Sequence, residues 1–244
     1  DENLKNVQNI TQVFPKNIIS NAHGWWGNDY FKFYLAACIK NNTKYFEVQH
    51  NGTYFVFDNN VHFDISSLFR DKFIGWGLAC KGFKNSLNLP SLYTVNKNEK
   101  KKINGNKIVL MSANISRFFE GYRNSYLSGG FNLHYFQNQI VFLEKLNQNI
   151  CKNVVIRSRF NIKDPNDYIT FLKKKFKKLH IEEIKNSAYA RLKNSKFKII
   201  VVDHCSTPWL EALFINKPLI MFWDKKLNIL SKKYSKIFDE LEKN

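Results

Sequence analysis

The sequence predicts an α/β protein built from mostly parallel sheets. Strand-length apolar runs alternate with segments of helical periodicity, the pattern of strand–helix–strand units. Two such series are separated by a polar stretch, 84–107, that contains Pro90 and the run Asn98-Glu-Lys-Lys-Lys-Ile-Asn-Gly-Asn106. The 244 residues are 44% hydrophobic and 16% aromatic, enough to build a core and to exclude disorder of the whole chain. The expected organisation is therefore two α/β halves, 1–100 and 101–244, with a cleft between them.

In the first half, Asn17–Ser20 reads as a strand entering the loop Asn21-Ala-His-Gly-Trp-Trp-Gly-Asn28. A helix follows from Asp29 to about Asn41, and Tyr45–Val48 is the next strand, running into Gln49-His50-Asn51-Gly52. Residues 53–82 hold short aromatic-rich segments, with a small helix expected at Ser66–Phe69 and an apolar run at Phe73–Trp76. The second half predicts strands at Ile108–Met111, Val154–Ile156, Phe197–Val202 and Leu219–Phe222. Between and after them, helices are expected at 132–148, 165–178, 186–194, 208–215 and 227–242. No run approaches the roughly 18–20 apolar residues of a membrane span, and no basic-then-apolar leader opens the chain.

Lysine and arginine number 38 against 20 acidic residues, a formal charge of +18, but only six of the cations are arginine. Specific nucleic-acid readers rely on arginine forks for base and phosphate contacts, so nucleic acid is not the expected partner. The densest block, Lys173-Lys-Lys-Phe-Lys-Lys178, alternates with Phe171, Leu172, Phe176 and Leu179 as the solvated face of an amphipathic helix would. Attraction to an anionic membrane surface or to anionic small substrates is compatible with the same charge. Cys38, Cys80, Cys151 and Cys205 stand far apart, with no CxxC pair and no zinc-finger spacing, which fits reduced thiols in a cytosolic protein. Walker, GxGxxG, GxSxG and HExxH motifs are missing, as is an Asp-x-Asp pair to hold a divalent metal. No metal or cofactor is expected.

In open α/β sheets ligands bind beyond the C-terminal strand ends, so the residues after each strand are the candidates. The segment Val202-Asp203-His-Cys-Ser-Thr-Pro-Trp-Leu-Glu-Ala-Leu213 stands out. One reading is an ordinary helix start, with Thr207 capping and Pro208 at the first helical position. The other uses the same free N–H groups, with the Ser206 and Thr207 hydroxyls, as a phosphate seat, and Glu211 one turn on as an acceptor for ribose hydroxyls. His23 and His50 follow consecutive strands, and Asp29 is either a first-turn helix charge or a general base. Arg157 and Arg159, like Asn114 and Arg117, follow strands where a guanidinium fork could meet a diphosphate or could make a surface ion pair.

The motifs Asn28-Asp29-Tyr-Phe-Lys32, Gln49-His50, Trp76-Gly77, Asp203–Leu213 and Pro218–Asp224 together resemble a bacterial family of transferases encoded among surface-polysaccharide genes. That family is related to GT-B glycosyltransferases, including capsule, Kdo and nonulosonate transferases, and more distantly to CDP-glycerol glycerophosphotransferases. The resemblance covers most of 17–240. It implies two facing Rossmann-like domains, an acceptor-side domain within 1–100 and a donor-nucleotide domain within 101–244. Ser206, Thr207 and Glu211 match the family's phosphate and ribose positions; from the residues themselves, Arg157 would aid at the phosphate, and Asp203, Asn114, Arg117 and His23 are further candidates. Asp29 or His50 would act as the base.

The implied reaction is metal-independent transfer of a sugar from a CMP-, CDP- or UDP-linked donor to a glycan or lipid-linked acceptor. It would occur in the cytoplasm, at the inner face of the membrane. The alternatives are a CDP-glycerol or CDP-ribitol phosphotransferase and a non-catalytic basic module binding nucleic acid or anionic membrane. The chain starts at Asp1, and the related N-terminal domains carry further strands before residue 17, so it is expected to be part of a longer enzyme with an incomplete N-terminal domain.

Overall fold

The computed structural model describes residues 14–57, 61–77, 83–91, 103–113, 131–157, 168–182, 187–225 and 229–243. Contacts divide the chain into Asp1–Lys97 and Asn98–Asn244, and each unit carries one parallel sheet. The expected α/β class with parallel strands is what the structure shows.

The first unit runs β1 (Asn17–Asn21), α1 (Ala22–Trp26), α2 (Asp29–Lys40), β2 (Lys44–Val48), α3 (Val61–Ser66), β3 (Lys72–Trp76) and β4 (Ser86–Leu89). Its strands lie in sequence order, β1-β2-β3-β4, all parallel. Helix α2 starts where Asn28, in an extended conformation, accepts the Phe31 N–H on its side chain at 3.1 Å. It stops at Asn41, and Asn42 then takes the left-handed conformation (φ 64°) that asparagine tolerates. Ala22, Trp25, Leu35 and Tyr45 form one core cluster.

Three expectations shift in this unit. The stretch 21–28, expected as a loop, contains α1, because Trp25 is buried edge-on against Trp26 and Phe69, with ring centroids 5.6 and 5.4 Å away. That packing outweighs the low helix propensity of Gly24. The small helix expected at Ser66–Phe69 lies instead at Val61–Ser66, where it turns Phe63 into a cluster with Phe55, Phe73 and Phe83. Strand β4 sits inside the stretch read as polar linker. It is a mostly exposed edge strand, so it lacks the apolar alternation that betrays its neighbours.

The second unit runs β5 (Lys107–Met111), α4 (Phe131–Lys145), α5 (Gln148–Cys151), β6 (Val154–Arg157), α6 (Tyr168–Lys175), β7 (His180–Glu182), α7 (Ala188–Leu192), β8 (Phe197–Val202), α8 (Thr207–Ile215), β9 (Leu219–Met221) and α9 (Lys232–Glu242). The strand order is β7-β6-β5-β8-β9, again all parallel. The central strands are apolar on both faces, as a covered parallel sheet requires: Leu110, Val154, Ile156 and Val201 join Leu143 and Leu172 in one buried cluster. The lysine-rich helix is shorter than expected but oriented as expected. Ile169 and Leu172 point inward, Lys173, Lys174 and Lys175 outward, and Lys175 meets Glu144 at 2.8 Å.

The chain leaves β5 toward β6 and β7, then returns to the other flank of β5 as β8 and β9. This reversal creates a topological switch point between β5 and β8. Ligands of open α/β sheets lie at such points, beyond the carboxyl ends of the strands. The described strands of the first unit run in one direction across the sheet and have no such reversal.

Candidate functional site

Four strands of the second unit end on one edge. Met111 is in register with Arg157 on one side and Val202 on the other, and Val202 with Met221. The residues that follow, Ser112 after β5 and Asp203 after β8, therefore flank the switch point. A buried polar network joins them. The Tyr135 hydroxyl, from α4, donates to Asp203 Oδ2 at 2.8 Å and accepts the Ala113 N–H at 2.8 Å. Gln139, one turn later, brings its Nε2 to the Ser112 hydroxyl at 2.5 Å and also to Asp203 Oδ2. Burial, then the Asp203 charge, pushes the Tyr135 pKa well above its usual value, so the phenol stays a neutral donor.

Asp203 uses its other oxygen on the next residue, Oδ1 to His204 Nδ1 at 2.7 Å. Both residues are nearly sealed, at 3% and 6% exposure. Cys205 follows, fully buried, and burial pushes its thiol up to about 12, which leaves it protonated and unsuited to nucleophilic work.

Helix α8 then begins. The expectation that Thr207 is the cap is corrected: Ser206 is the N-cap, in extended conformation, and its side chain makes no capping hydrogen bond. Thr207 is the first helical residue, and Pro208 occupies the second position, where it lacks a donor. The Ser206 hydroxyl is thus not committed to the helix terminus. Glu211 lies one turn further on the buried side of α8, at 5% exposure. Trp209 anchors the same helix against Phe238 of α9, ring centroids 5.5 Å apart. Toward the β9 side, a cavity of about 290 Å³ is lined by Leu213, Met221, Phe222, Trp223 and Phe238.

Arg157, the last residue of β6, is 6% exposed and in register with Glu182 of β7. Burial, and secondarily the charge of Arg157, lowers the pKa of Arg191. Arg157 is thus a buried cation at the same strand edge as Asp203, not a surface residue. Asn114, Arg117 and Arg159 lie outside the described residues, as does the side chain of His23, whose backbone belongs to α1.

In the first unit, β1 and β2 are parallel neighbours, so the segments after them leave the same sheet edge. The two proposed bases differ sharply in setting. Asp29 is 76% exposed in its side chain and paired with Lys32 at 2.7 Å within the first turn of α2. His50 is half-buried and held at both ring nitrogens: Nδ1 to Tyr54 Oη at 3.0 Å and Nε2 to Asn51 Nδ2 at 2.8 Å. Asn51 Oδ1 is taken by the Thr53 N–H and hydroxyl at 2.9 and 2.6 Å, so the amide nitrogen must face His50. His50 is therefore neutral with its proton on Nδ1 and its lone pair on Nε2. The preceding Gln49 closes the turn, accepting the Trp76 N–H at 2.8 Å.

Sequence reasoning passed over Ser112, Tyr135, Gln139 and His204. The signal for two of them was present: Tyr135 and Gln139 are four apart on one helix, polar residues on its buried face. His204 was masked by its neighbours, which carried the recognisable spacing. Among the described residues no group of three or more His, Cys, Asp and Glu could hold a metal ion, and no helix is long and apolar enough to cross a membrane.

No curated protein matches the chain. Among solved structures, a TarM variant of S. aureus, crystallised in complex with fondaparinux, alpha-GlcNAc-glycerol and UDP, aligns with a TM-score of 0.49 at 13% identity. The alignment covers 88% of this chain and 44% of that one. The chain thus spans less than half the length of the solved structure it matches. The expectation of a transferase rests on a broader match: the model of the LIC12162 family transferases covers residues 2–244, and the chain belongs to that family.

Proposed function

We propose that this transferase is a GT-B-type glycosyltransferase that moves a sugar from a nucleotide-linked donor to a surface-glycan or lipid-linked acceptor. In this reading the second unit, within 101–244, binds the donor, and the first, within 1–100, contributes the acceptor side. The observation that carries it is the coincidence, at the switch point of the second sheet, of three features suited to a nucleoside phosphate. An uncommitted Ser206 hydroxyl stands at the start of α8, the carboxylate of Glu211 follows one turn on, and Arg157 ends the neighbouring strand β6. The helix start and the guanidinium stabilise the negative charge that grows on the departing phosphate. Ser206 and Thr207 donate to its oxygens, and Glu211 accepts from ribose hydroxyls.

On the acceptor side His50 suits the base better than Asp29. Its Nδ1–H is fixed on Tyr54, whose hydroxyl burial keeps neutral, and its basic Nε2 exchanges an amide contact for the acceptor's proton. Asp29 is placed to stabilise the start of α2 and to pair with Lys32. In this reading the reaction needs no metal ion and runs in the cytoplasm, at the inner face of the membrane. The lysine face of α6 is the element suited to anionic headgroups.

The test is calorimetry of the intact chain with CMP, CDP, UDP and GDP, followed by donor turnover with and without EDTA. Binding of one pyrimidine nucleotide and release of it from a sugar-linked donor supports the reading. Turnover only of CDP-glycerol or CDP-ribitol assigns the phosphotransferase instead. Absence of nucleotide binding, with salt-sensitive binding to DNA or anionic vesicles, overturns the enzyme reading.

A further inference from the structure

We propose that His204 is a phosphate-contacting residue, turning Nε2 to the diphosphate or phosphate of the donor nucleotide. This inference rests on the donor site proposed above and adds to it a residue that neither the motif spacing nor the family resemblance singles out. Its foundation is the Asp203–His204 pair. Asp203 accepts from Tyr135 and from Gln139 on Oδ2 and from His204 Nδ1 on Oδ1. Asp203 thus accepts at both oxygens, and the imidazole nitrogen that faces Oδ1 is the one that donates. Nδ1 is therefore the anchored nitrogen.

Among the described residues no protein group engages Nε2, although the residue is only 6% exposed, and Nε2 is not among the sealed, unpartnered atoms. Nε2 therefore stays open to a partner from outside the protein. Its place in the fold indicates what that partner is. His204 is two residues beyond β8 at the switch point and two residues before the N-cap of α8, whose hydroxyl is uncommitted.

The network also explains why the pair is so firmly built. Tyr135 and Gln139 tie Asp203 to Ser112 and Ala113 at the end of β5, so the imidazole is positioned by both strands that border the crevice. An anion seated at Nε2 accepts from one side of the ring while Asp203 accepts from the other. Asp203, Tyr135 and Gln139 are positioning residues in this scheme, and His204 is the member of the network that touches the ligand.

The experiment follows the histidine ring nitrogens of the intact chain by long-range 1H–15N NMR during titration with inorganic pyrophosphate, then with CMP, CDP and UDP. His204→Asn identifies the resonance and is also titrated calorimetrically. The expected result is an Nδ1 that is protonated throughout, an Nε2 resonance that moves on adding pyrophosphate, and an affinity about tenfold weaker in His204→Asn, as loss of one charge-assisted hydrogen bond implies. The wild-type resonance decides the question even if that variant does not fold. An unmoved Nε2 at saturating pyrophosphate, or an unchanged affinity in the variant, overturns the proposal. If pyrophosphate moves Nε2 but no nucleotide binds more tightly than pyrophosphate, His204 contacts an anion and the nucleotide-donor reading fails. If no anion binds at all, both fail.

Discussion

At the scale of single residues, the two histidines His50 and His204 show how local hydrogen bonding sets chemistry. Each has its Nδ1 anchored, His50 by a neutral tyrosine and His204 by a carboxylate. The neutral partner leaves His50 suited to accept a proton, whereas the carboxylate partner fixes the tautomer and orientation of His204. On the proposed function, His50→Gln lowers turnover about 100-fold or more while leaving the nucleotide dissociation constant within a factor of about two, measured by donor consumption and calorimetry. Glu211→Gln gives the complementary pattern, because it keeps the shape of a buried side chain and removes its charge. Nucleotide affinity is expected to fall about tenfold with turnover at saturation little changed. Asp203, Ser206 and Glu211 were legible in the sequence because strand, turn and helix start lie within ten residues. Tyr135 and Gln139 show in the sequence as polar residues four apart on a helix, but their partner does not, because Asp203 lies more than 60 residues away.

At the scale of elements, legibility followed apolar runs rather than burial: the edge strands β1 and β9 hold no buried residue, yet both were expected. β5, β6 and β8 are buried on both faces and read as continuous apolar runs. β4 and β7 are short edge strands with few buried residues, and neither was expected from the sequence. α1 was missed because its stability comes from Trp25 packing on Phe69, a contact with a residue 44 positions away. Two backbone positions make the element scale testable. Asn216 ends α8 in the left-handed conformation (φ 57°), so Asn216→Gly is expected to leave the melting temperature within a degree or two. Asn216→Val is expected to cost at least about 1 kcal/mol by chemical denaturation. Gly105 enters β5 against the backbone of Lys196, where a Cβ would overlap main-chain atoms. Gly105→Ala therefore forces the two segments apart and destabilises the second unit by more than a surface change would, about 2 kcal/mol or more.

At the scale of the whole molecule, the two units differ in how they use charge. The second holds buried Asp203 on both carboxylate oxygens, through Tyr135, Gln139 and His204. The first buries Glu47 completely, 3.6 Å from Arg70, and burial outweighs the attraction, raising the carboxyl to about 7. The folded state then keeps a proton that an unfolded carboxylate has lost above pH about 4.5, so stability is greatest below that value and declines as pH rises toward 7. Unfolding free energy of the first unit is expected to fall by up to about 3 kcal/mol across this window, and Glu47→Gln flattens the slope whatever its effect on absolute stability. The sequence could place Glu47 on a strand but not see Arg70 beside it. Beyond these charges, the account stands on the switch point between β5 and β8 as the seat of an activated donor. Hydrogen–deuterium exchange of the intact chain, with and without saturating CMP, CDP or UDP, addresses that point most directly. One nucleotide is expected to slow exchange in the peptides spanning 203–211; protection confined to other segments, or none with any nucleotide, would contradict it.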